Sequence, residues 1–275
     1  MASLNYNHAM RLFVFDVDGT LVGRDQILKD EVKNALNKIL DRGDALAIAS
    51  GRPYPGIIKY LSQLHKGNKF CICANGSEVK DEDGVSLMID ALPIRDYYQF
   101  IQNHTDIFHH DDTNIYLYTS EALGYLKYDK YIEGEVTCNG SFHAFDLNKQ
   151  YLPLDFPILK FMIASNKSLS TDFEKKITEE ERNKFRVVRT APIYIEFISK
   201  TTDKSVAVRF LKEYLKLDDS DVYTFGDSGN DYLMIKEFNG IAMGNATDDC
   251  KAVAKFITKS VDDGGIVYAL ENFIK

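Results

Sequence analysis

The sequence predicts an α/β protein, a doubly wound parallel-sheet core that carries an inserted α+β domain. Three observations support that expectation. The chain has 275 residues, more than the roughly 100 to 200 of a usual single domain. Short apolar runs stop abruptly at polar or glycine-containing turns: "RLFVF" before Asp16, "ALAIA" before "SGR", "FCICA" before "NGS" and "VYTF" before "GDSGND". Between residues 82 and 191 the texture changes, and the chain becomes rich in tyrosine and histidine.

The elements follow in order. "RLFVF" is apolar without alternation, as a parallel strand buried on both faces must be. "KDEVKNALNKILDRG" repeats Val32, Leu36, Ile39 and Leu40 at helical spacing, and Gly43 suits a C-terminal cap. With "ALAIA" next, the order strand, helix, strand is the crossover that joins parallel strands. "FCICA" is a third strand, with Cys71 and Cys73 on one face as packing residues. In the middle, "NIYLYTS" and "ILKFMIAS" read as strands and "TDFEKKITEEERNK" as one charged helix, together a small α+β domain. "TTDKSVAVRFLKEYLKL" then returns to helical spacing through Val206, Val208, Leu211 and Leu215, with Thr or Asp at its start. After "VYTF", the segments "NDYLMIKEF" and "DDCKAVAKF" read as two further helices. The core is therefore assigned to 1–81 and 192–275, and the insertion to 82–191.

Composition narrows the function classes. Hydrophobic residues at 45% and charged residues at 27% are ordinary globular values, and no apolar run approaches the roughly 20 residues of a membrane-spanning helix. "MASLNYNHAMR" lacks the basic patch and apolar block of a secretory leader, so a cytoplasmic location and no membrane partner are expected. A net charge of −8 without a long basic run argues against nucleic acid as a partner, though not against one small anionic substrate. Cys71, Cys73, Cys138 and Cys250 show no metal-ligand spacing. These features leave the oligomeric state open.

In an open parallel sheet the ligand lies beyond the carboxyl ends of the strands. The polar clusters fall there: Asp16 and Asp18, Ser50-Gly51-Arg52, Asn75-Gly76, and Asp227 through Asp231, with Lys204 opening a helix. Mg²⁺ takes oxygen ligands, typically one or two carboxylates plus a substrate phosphate, and Asp16 and Asp227 fit as those carboxylates. Ser50 with its following glycine, Lys204 and Asn230 offer hydroxyl, backbone N–H, ammonium and amide donors for a phosphoryl group. Asp16 and Asp18, two apart on an extended segment, can flank one reacting atom. One carboxylate can attack phosphorus, and a second can protonate a leaving alcohol and then deprotonate water. Gly19 permits the sharp turn that follows, and Thr20 can bond back to the pair.

"DVDGTL", "SGR", the lone Lys204 and "GDSGND", in that order, resemble the four motifs of the haloacid dehalogenase superfamily of phosphotransferases. The long insertion between "SGR" and Lys204 resembles its Cof-like branch of sugar-phosphate phosphatases, with a Rossmann-like core and a type IIB cap domain. The resemblance implies that Asp16 is nucleophile and Mg²⁺ ligand, and that Asp18 is the general acid/base whose carbonyl also meets the metal. It makes Asp227 the remaining acidic ligand, with Ser228 close by. Ser50, Gly51 and the Val17 backbone would bind phosphate with Lys204 and Asn230, while Asp231 would orient Lys204 or a metal-bound water. "ANGS" with Asn75 resembles the loop that precedes the cap in this branch and "MGNA" with Asn245 a substrate-side turn after the fourth motif; Asn75, Asn245 and Arg52 are candidates for the substrate side. One departure is "TTDKS", where many relatives carry glycine directly after the lysine; Ser205 stands in its place.

The implied activity is a Mg²⁺-dependent phosphomonoester hydrolase acting on small phosphorylated metabolites, foremost sugar phosphates, through an aspartyl-phosphate. The alternatives are a phosphomutase acting on hexose phosphates and a catalytically silent phosphate-binding regulator. The remaining polar and aromatic features have plainer readings. "HHDD" at 109–112 is a solvated loop without rigid ligand spacing, His143 has no assigned role, and Tyr116, Tyr118, Tyr125 and Tyr128 are core residues of the small domain.

Overall fold

The computed structural model describes residues 10–140 and 142–274; most of the N-terminal segment read above as lacking a leader lies outside them. The chain divides into two compact units, one of Met1–Ile48, Gln63–Lys69 and Val208–Lys275, the other of Ala49–Ser62 and Phe70–Ala207.

The first unit is an α/β layer. Its strands lie side by side in the order Phe256–Ile257, Asn239–Ala242, Val222–Gly226, Leu12–Asp16, Ala45–Ala49. Leu12–Asp16 pairs in parallel with Val222–Gly226, and that strand with Asn239–Ala242 and Phe256–Ile257 in turn. Leu12 through Phe15 are fully buried, as the unbroken apolar run requires. Phe13 stacks on Tyr223 at 5.2 Å and Phe15 on Phe225 at 4.5 Å, cross-strand pairs that fix the register. Helix Asp30–Asp41 turns Val32, Leu36, Ile39 and Leu40 inward and places Asp30 and Glu31 in its first turn and Lys38 in its last, matching its dipole. Gly43, at φ +85°, ends it. The chain runs from Leu12–Asp16 toward one side of the sheet and from Val222–Gly226 toward the other, so the switch point of the doubly wound order lies between these two strands.

The second unit contains a six-stranded sheet in the order Phe185–Ala191, Tyr194–Ser199, Lys160–Ser165, Thr113–Tyr118, Leu123–Tyr125, Ala144–Asp146. All its pairs are antiparallel except the last. It includes Tyr194–Ser199, past position 191. Alternation sorts the side chains. Ile115, Leu117, Phe161, Ile163, Ile195 and Phe197 face a core completed by Tyr97, Phe100, Ile107 and Phe173 from helices Ile94–Asn103, Thr105–Phe108 and Lys167–Lys176. Tyr116, Tyr118, Met162 and Ala164 face the other way with Ile132 of helix Lys130–Cys138. Burial, and next the Glu135 carboxylate, push the Tyr116 and Tyr118 hydroxyls well above the usual phenol range. This unit also holds the antiparallel run Asn68–Cys73 (from Phe70), Glu78–Asp81, Ser86–Ile89. Cys71 and Cys73 are fully buried, as core packing requires.

Some local readings change. "TDFEKKITEEERNK" forms parts of two helices, Lys167–Lys176 and Glu179–Lys184, because Thr178 starts the second. The Thr178 hydroxyl accepts from the Glu181 N–H at 3.2 Å, and Glu181 accepts from the Thr178 N–H at 2.9 Å, a capping box that satisfies two donors at once. Charge composition along the segment does not reveal this stop. Tyr116 and Tyr118 are buried, whereas Tyr128 is 59% exposed and outside the core. His109 and His110 are exposed, as a solvated loop requires.

Thr178→Ala is expected to lose about 1 kcal/mol, the usual worth of such a cap. A fall of about 2 to 4 °C in Tm would accompany that loss in a protein of this size, and thermal unfolding followed by circular dichroism measures it.

Candidate active site

In the first unit, strand Leu12–Asp16 ends in a tight loop. The Val17 carbonyl accepts from the N–H groups of Leu21 and Val22, each at 3.0 Å, and Asp16 accepts from Leu21 at 3.2 Å. This winding leaves Asp16 5% exposed at the strand end and Asp18 on the surface, where its carboxylate accepts from the Gln26 amide at 2.9 Å. Gly19 is needed on two counts: its φ is +87°, and a Cβ there would stand 2.4 Å from Asp227 Oδ2. The Thr20 hydroxyl donates to Asp227 Oδ1 at 3.5 Å.

Phe15 pairs with Phe225 across the sheet, so Asp227, one residue beyond its strand, stands near the end of the Asp16 strand. The loop after Asp227 folds around Asp231, which is fully buried. Its Oδ2 accepts from the N–H groups of Asp227 at 3.0 Å and Ser228 at 3.1 Å. Gly226 allows this, because a Cβ there would meet the Asp231 Cβ at 2.5 Å. The Ser228 hydroxyl donates to Asn230 Oδ1 at 2.6 Å. Asn245 donates to the Gly19 carbonyl at 2.8 Å and to Asp227 Oδ2 at 3.3 Å, and accepts from the Val261 N–H at 2.9 Å. One amide thus ties together the loops bearing Gly19, Asp227 and Val261.

Asp16, Asp227 and Asp231 each place a carboxylate oxygen within 4.8 Å of the others. Three carboxylates this close, two of them buried, call for positive charge. An all-oxygen set with water and substrate positions left over fits a hard divalent cation such as Mg²⁺. Of the residues expected around a metal, the structure groups Asp16 and Asp227 with Asp231, and Ser228 is adjacent in sequence to Asp227.

In the second unit, Ser50 is 3% exposed and its loop is laced to the turn at residues 72–75. The Ser50 N–H donates to the Ile72 carbonyl at 2.9 Å, Asn75 to Ser50 at 2.9 Å, and Ala74 to Arg52 at 3.0 Å. The Ser50 hydroxyl oxygen accepts from the Arg52 N–H at 3.3 Å. Ala74 and Asn75 are both left-handed, at φ 48° and 58°, a costly conformation for residues with a Cβ. Gly76 follows at φ +102°, and a Cβ there would strike the Asp203 carbonyl at 2.3 Å. Asp203 caps the helix that begins at Lys204, accepting from the Ser205 N–H at 2.7 Å and the Val206 N–H at 3.2 Å. The Ser205 hydroxyl adds a third donor at 2.6 Å, so the residue that departs from the family pattern reinforces the cap. Lys204 itself is 1% exposed, and Arg52 is partly buried.

Sequence reasoning missed two residues in this unit. Lys160 donates to the Gly51 carbonyl at 2.9 Å, and Glu196 accepts from the Asn75 amide at 2.8 Å. A single charge inside each of the apolar strands "LKFMIAS" and "YIEFIS" was the available sign.

A family model for haloacid dehalogenase-like hydrolases matches residues 13–270. A Streptococcus pyogenes protein carrying a provisional phosphatase name is 30% identical over 273 residues, 97% of this chain and 99% of that one. The 5-amino-6-(5-phospho-D-ribitylamino)uracil phosphatase YcsE of Bacillus subtilis is 28% identical over 268 residues, 96% of each chain. Among solved structures, a haloacid dehalogenase-like hydrolase from Bacteroides thetaiotaomicron superposes with a TM-score of 0.84 over 97% of this chain and all of that one, at 24% identity.

Gly19→Ala and Gly43→Ala separate the two demands on Gly19. Both residues are left-handed, but a Cβ at Gly43 would meet nothing within 4 Å. Each substitution is expected to cost about 1 kcal/mol for backbone conformation, and Gly19→Ala more, because Asp227 must also move. Urea denaturation of the two variants reads the difference.

Proposed function

This chain belongs to the haloacid dehalogenase-like hydrolase family, and we propose that it is a Mg²⁺-dependent phosphomonoester hydrolase of small phosphorylated metabolites. The observation that carries the reading is the carboxylate trio Asp16, Asp227 and Asp231 beside the switch point of the parallel sheet. The name of the Bacillus subtilis relative, a phosphatase of a phosphoribityl compound, supports polyol or sugar phosphates as the substrate class.

In this reading Asp16 attacks phosphorus and becomes the aspartyl-phosphate. Asp18 gives its proton to the leaving alcohol and then takes one from the water that opens the acyl phosphate. Asp16, the Asp18 carbonyl and Asp227, with Ser228 close by, would hold Mg²⁺. The bound ion supplies charge neutralisation and polarisation at the phosphoryl oxygens. Ser50, Gly51, the Val17 backbone, Lys204 and Asn230 donate to those oxygens, and burial of the Lys204 ammonium strengthens its attraction for a phosphate. Asp231 holds the Asp227–Ser228 backbone in place and orients Lys204 or a metal-bound water. Arg52, Asn75 and Asn245 stand on the substrate side. Residues 82–191 act as the cap that chooses the leaving group, and the working location is cytoplasmic. Among the described residues no helix is long and apolar enough to cross a membrane.

Asp16→Asn is expected to abolish hydrolysis of p-nitrophenyl phosphate while circular dichroism stays that of the parent; undiminished turnover would remove Asp16 from the nucleophile role. EDTA should silence the enzyme and Mg²⁺ restore it, and turnover indifferent to both would defeat the metal assignment. Incubation with hexose phosphates tests the competing mutase reading, in which an isomer forms without free phosphate.

A further inference from the structure

The second unit contains a buried charged network centred on Lys160 and Glu196, two residues to which the reaction outlined above gives no role. Lys160 is 3% exposed, Glu196 4% and Asn75 2%. The Lys160 ammonium lies 3.0 Å from Glu196 Oε1 and donates to the Gly51 carbonyl at 2.9 Å. Glu196 also accepts from the Thr190 hydroxyl at 2.9 Å through the same oxygen, and from the Asn75 amide at 2.8 Å through Oε2. Lys160 further sits 4.6 Å from the centre of the Tyr118 ring, and the Tyr118 hydroxyl donates to Glu135.

The sheet explains how these groups meet. Lys160 pairs with Tyr118, and Met162 pairs with both Tyr116 and Glu196. Positions 160 and 162 share a face, so Lys160, Glu196 and the two tyrosines project from the side opposite the core that holds Phe161 and Phe197. A buried ion pair is seldom a net source of stability: in exchange for desolvation it provides one fixed geometry. Here that geometry is imposed on two backbone segments. Gly51 belongs to the loop that carries Ser50, and Asn75 sits in the left-handed turn hydrogen-bonded to the same loop.

Resting on the hydrolase reading, we propose that Lys160 and Glu196 are positioning residues: together they fix the Gly51 carbonyl and the Asn75 side chain, and so aim the Ser50–Gly51 donors at the phosphoryl group. A carbonyl held by an ammonium cannot rotate its peptide unit, and the N–H groups of the loop then keep their direction without reorganising when phosphate arrives. The pair acts through the loop and touches no reacting atom.

The test compares three variants of the full chain in Mg²⁺ buffer. Lys160→Met removes one charge and leaves Glu196 buried without its partner, so loss of folding is a foreseeable outcome there. Lys160→Met/Glu196→Gln removes both charges, keeps the volumes and is the deciding variant. Lys80→Met/Glu78→Gln is the control, because Lys80 and Glu78 are likewise buried and ion-paired in the same unit, at 3.6 Å. Calorimetric titration with inorganic phosphate is expected to show affinity falling at least about tenfold in the double variant and unchanged in the control, the scale expected when binding groups are displaced by a fraction of an ångström to 1 Å. kcat for p-nitrophenyl phosphate should fall by a comparable factor, with Tm close to the parent's. Parent-like phosphate affinity and kcat in the double variant, or equal losses in the control, would overturn the proposal. A parent protein that binds phosphate but hydrolyses no ester would overturn the hydrolase reading alone, since the affinities still report on the loop. A parent that binds no phosphate overturns both.

Discussion

The in-register parallel pair formed by Leu12–Asp16 and Val222–Gly226 is the constraint on which the first unit depends. Both strands are buried, so neither can slip by one residue without turning apolar side chains away from their partners and breaking the Phe13–Tyr223 and Phe15–Phe225 stacks. Register then fixes chemistry. Because Phe15 and Phe225 are opposite each other, Asp16 and Asp227 must emerge at the same end of the sheet. Gly19 and Gly226 let the two loops approach more closely than any other residue would permit. The energy that buries "LFVF" thereby sets the separation of two carboxylates whose mutual repulsion would otherwise drive them apart.

The loops solve the same difficulty by different means in the two units. Around Asp227, backbone N–H groups and the amide of Asn245 surround the carboxylates, so negative charge is met by fixed dipoles. Around Gly51 and Asn75 a full ion pair is used, embedded in one face of the six-stranded sheet. Ala74 and Asn75 pay for nothing by themselves in that left-handed turn; the surrounding hydrogen bonds offset its strain. Groups held this way are organised before any ligand arrives, which is the physical requirement for catalysis by positioned charge.

Much was legible in one dimension because it depends on neighbouring residues. Unbroken apolar runs marked the buried parallel strands, and the helical spacing of Val32, Leu36, Ile39 and Leu40 marked a one-sided helix. The acids after those strands pointed to the site. The break at Thr178 was legible too, since Thr178 and Glu181 stand at capping-box spacing, but a reading that followed charge alone ran through it. The weak edge strands Ser86–Ile89 and Phe256–Ile257 escaped as well, being short and half-exposed, with no periodicity long enough to register.

The sequence by itself determined which chemistry the chain can offer: carboxylates, a serine, a lysine and amides, each placed directly after a strand or at the start of a helix by its own local pattern. Tertiary structure alone decided which of them lie together. Asn75 and Glu196 are 121 residues apart, and Gly51 and Lys160 are 109 apart. The pairing of strands in a folded sheet, governed by register and by which face each residue takes, is what joins them, and no run of neighbouring residues contains that information.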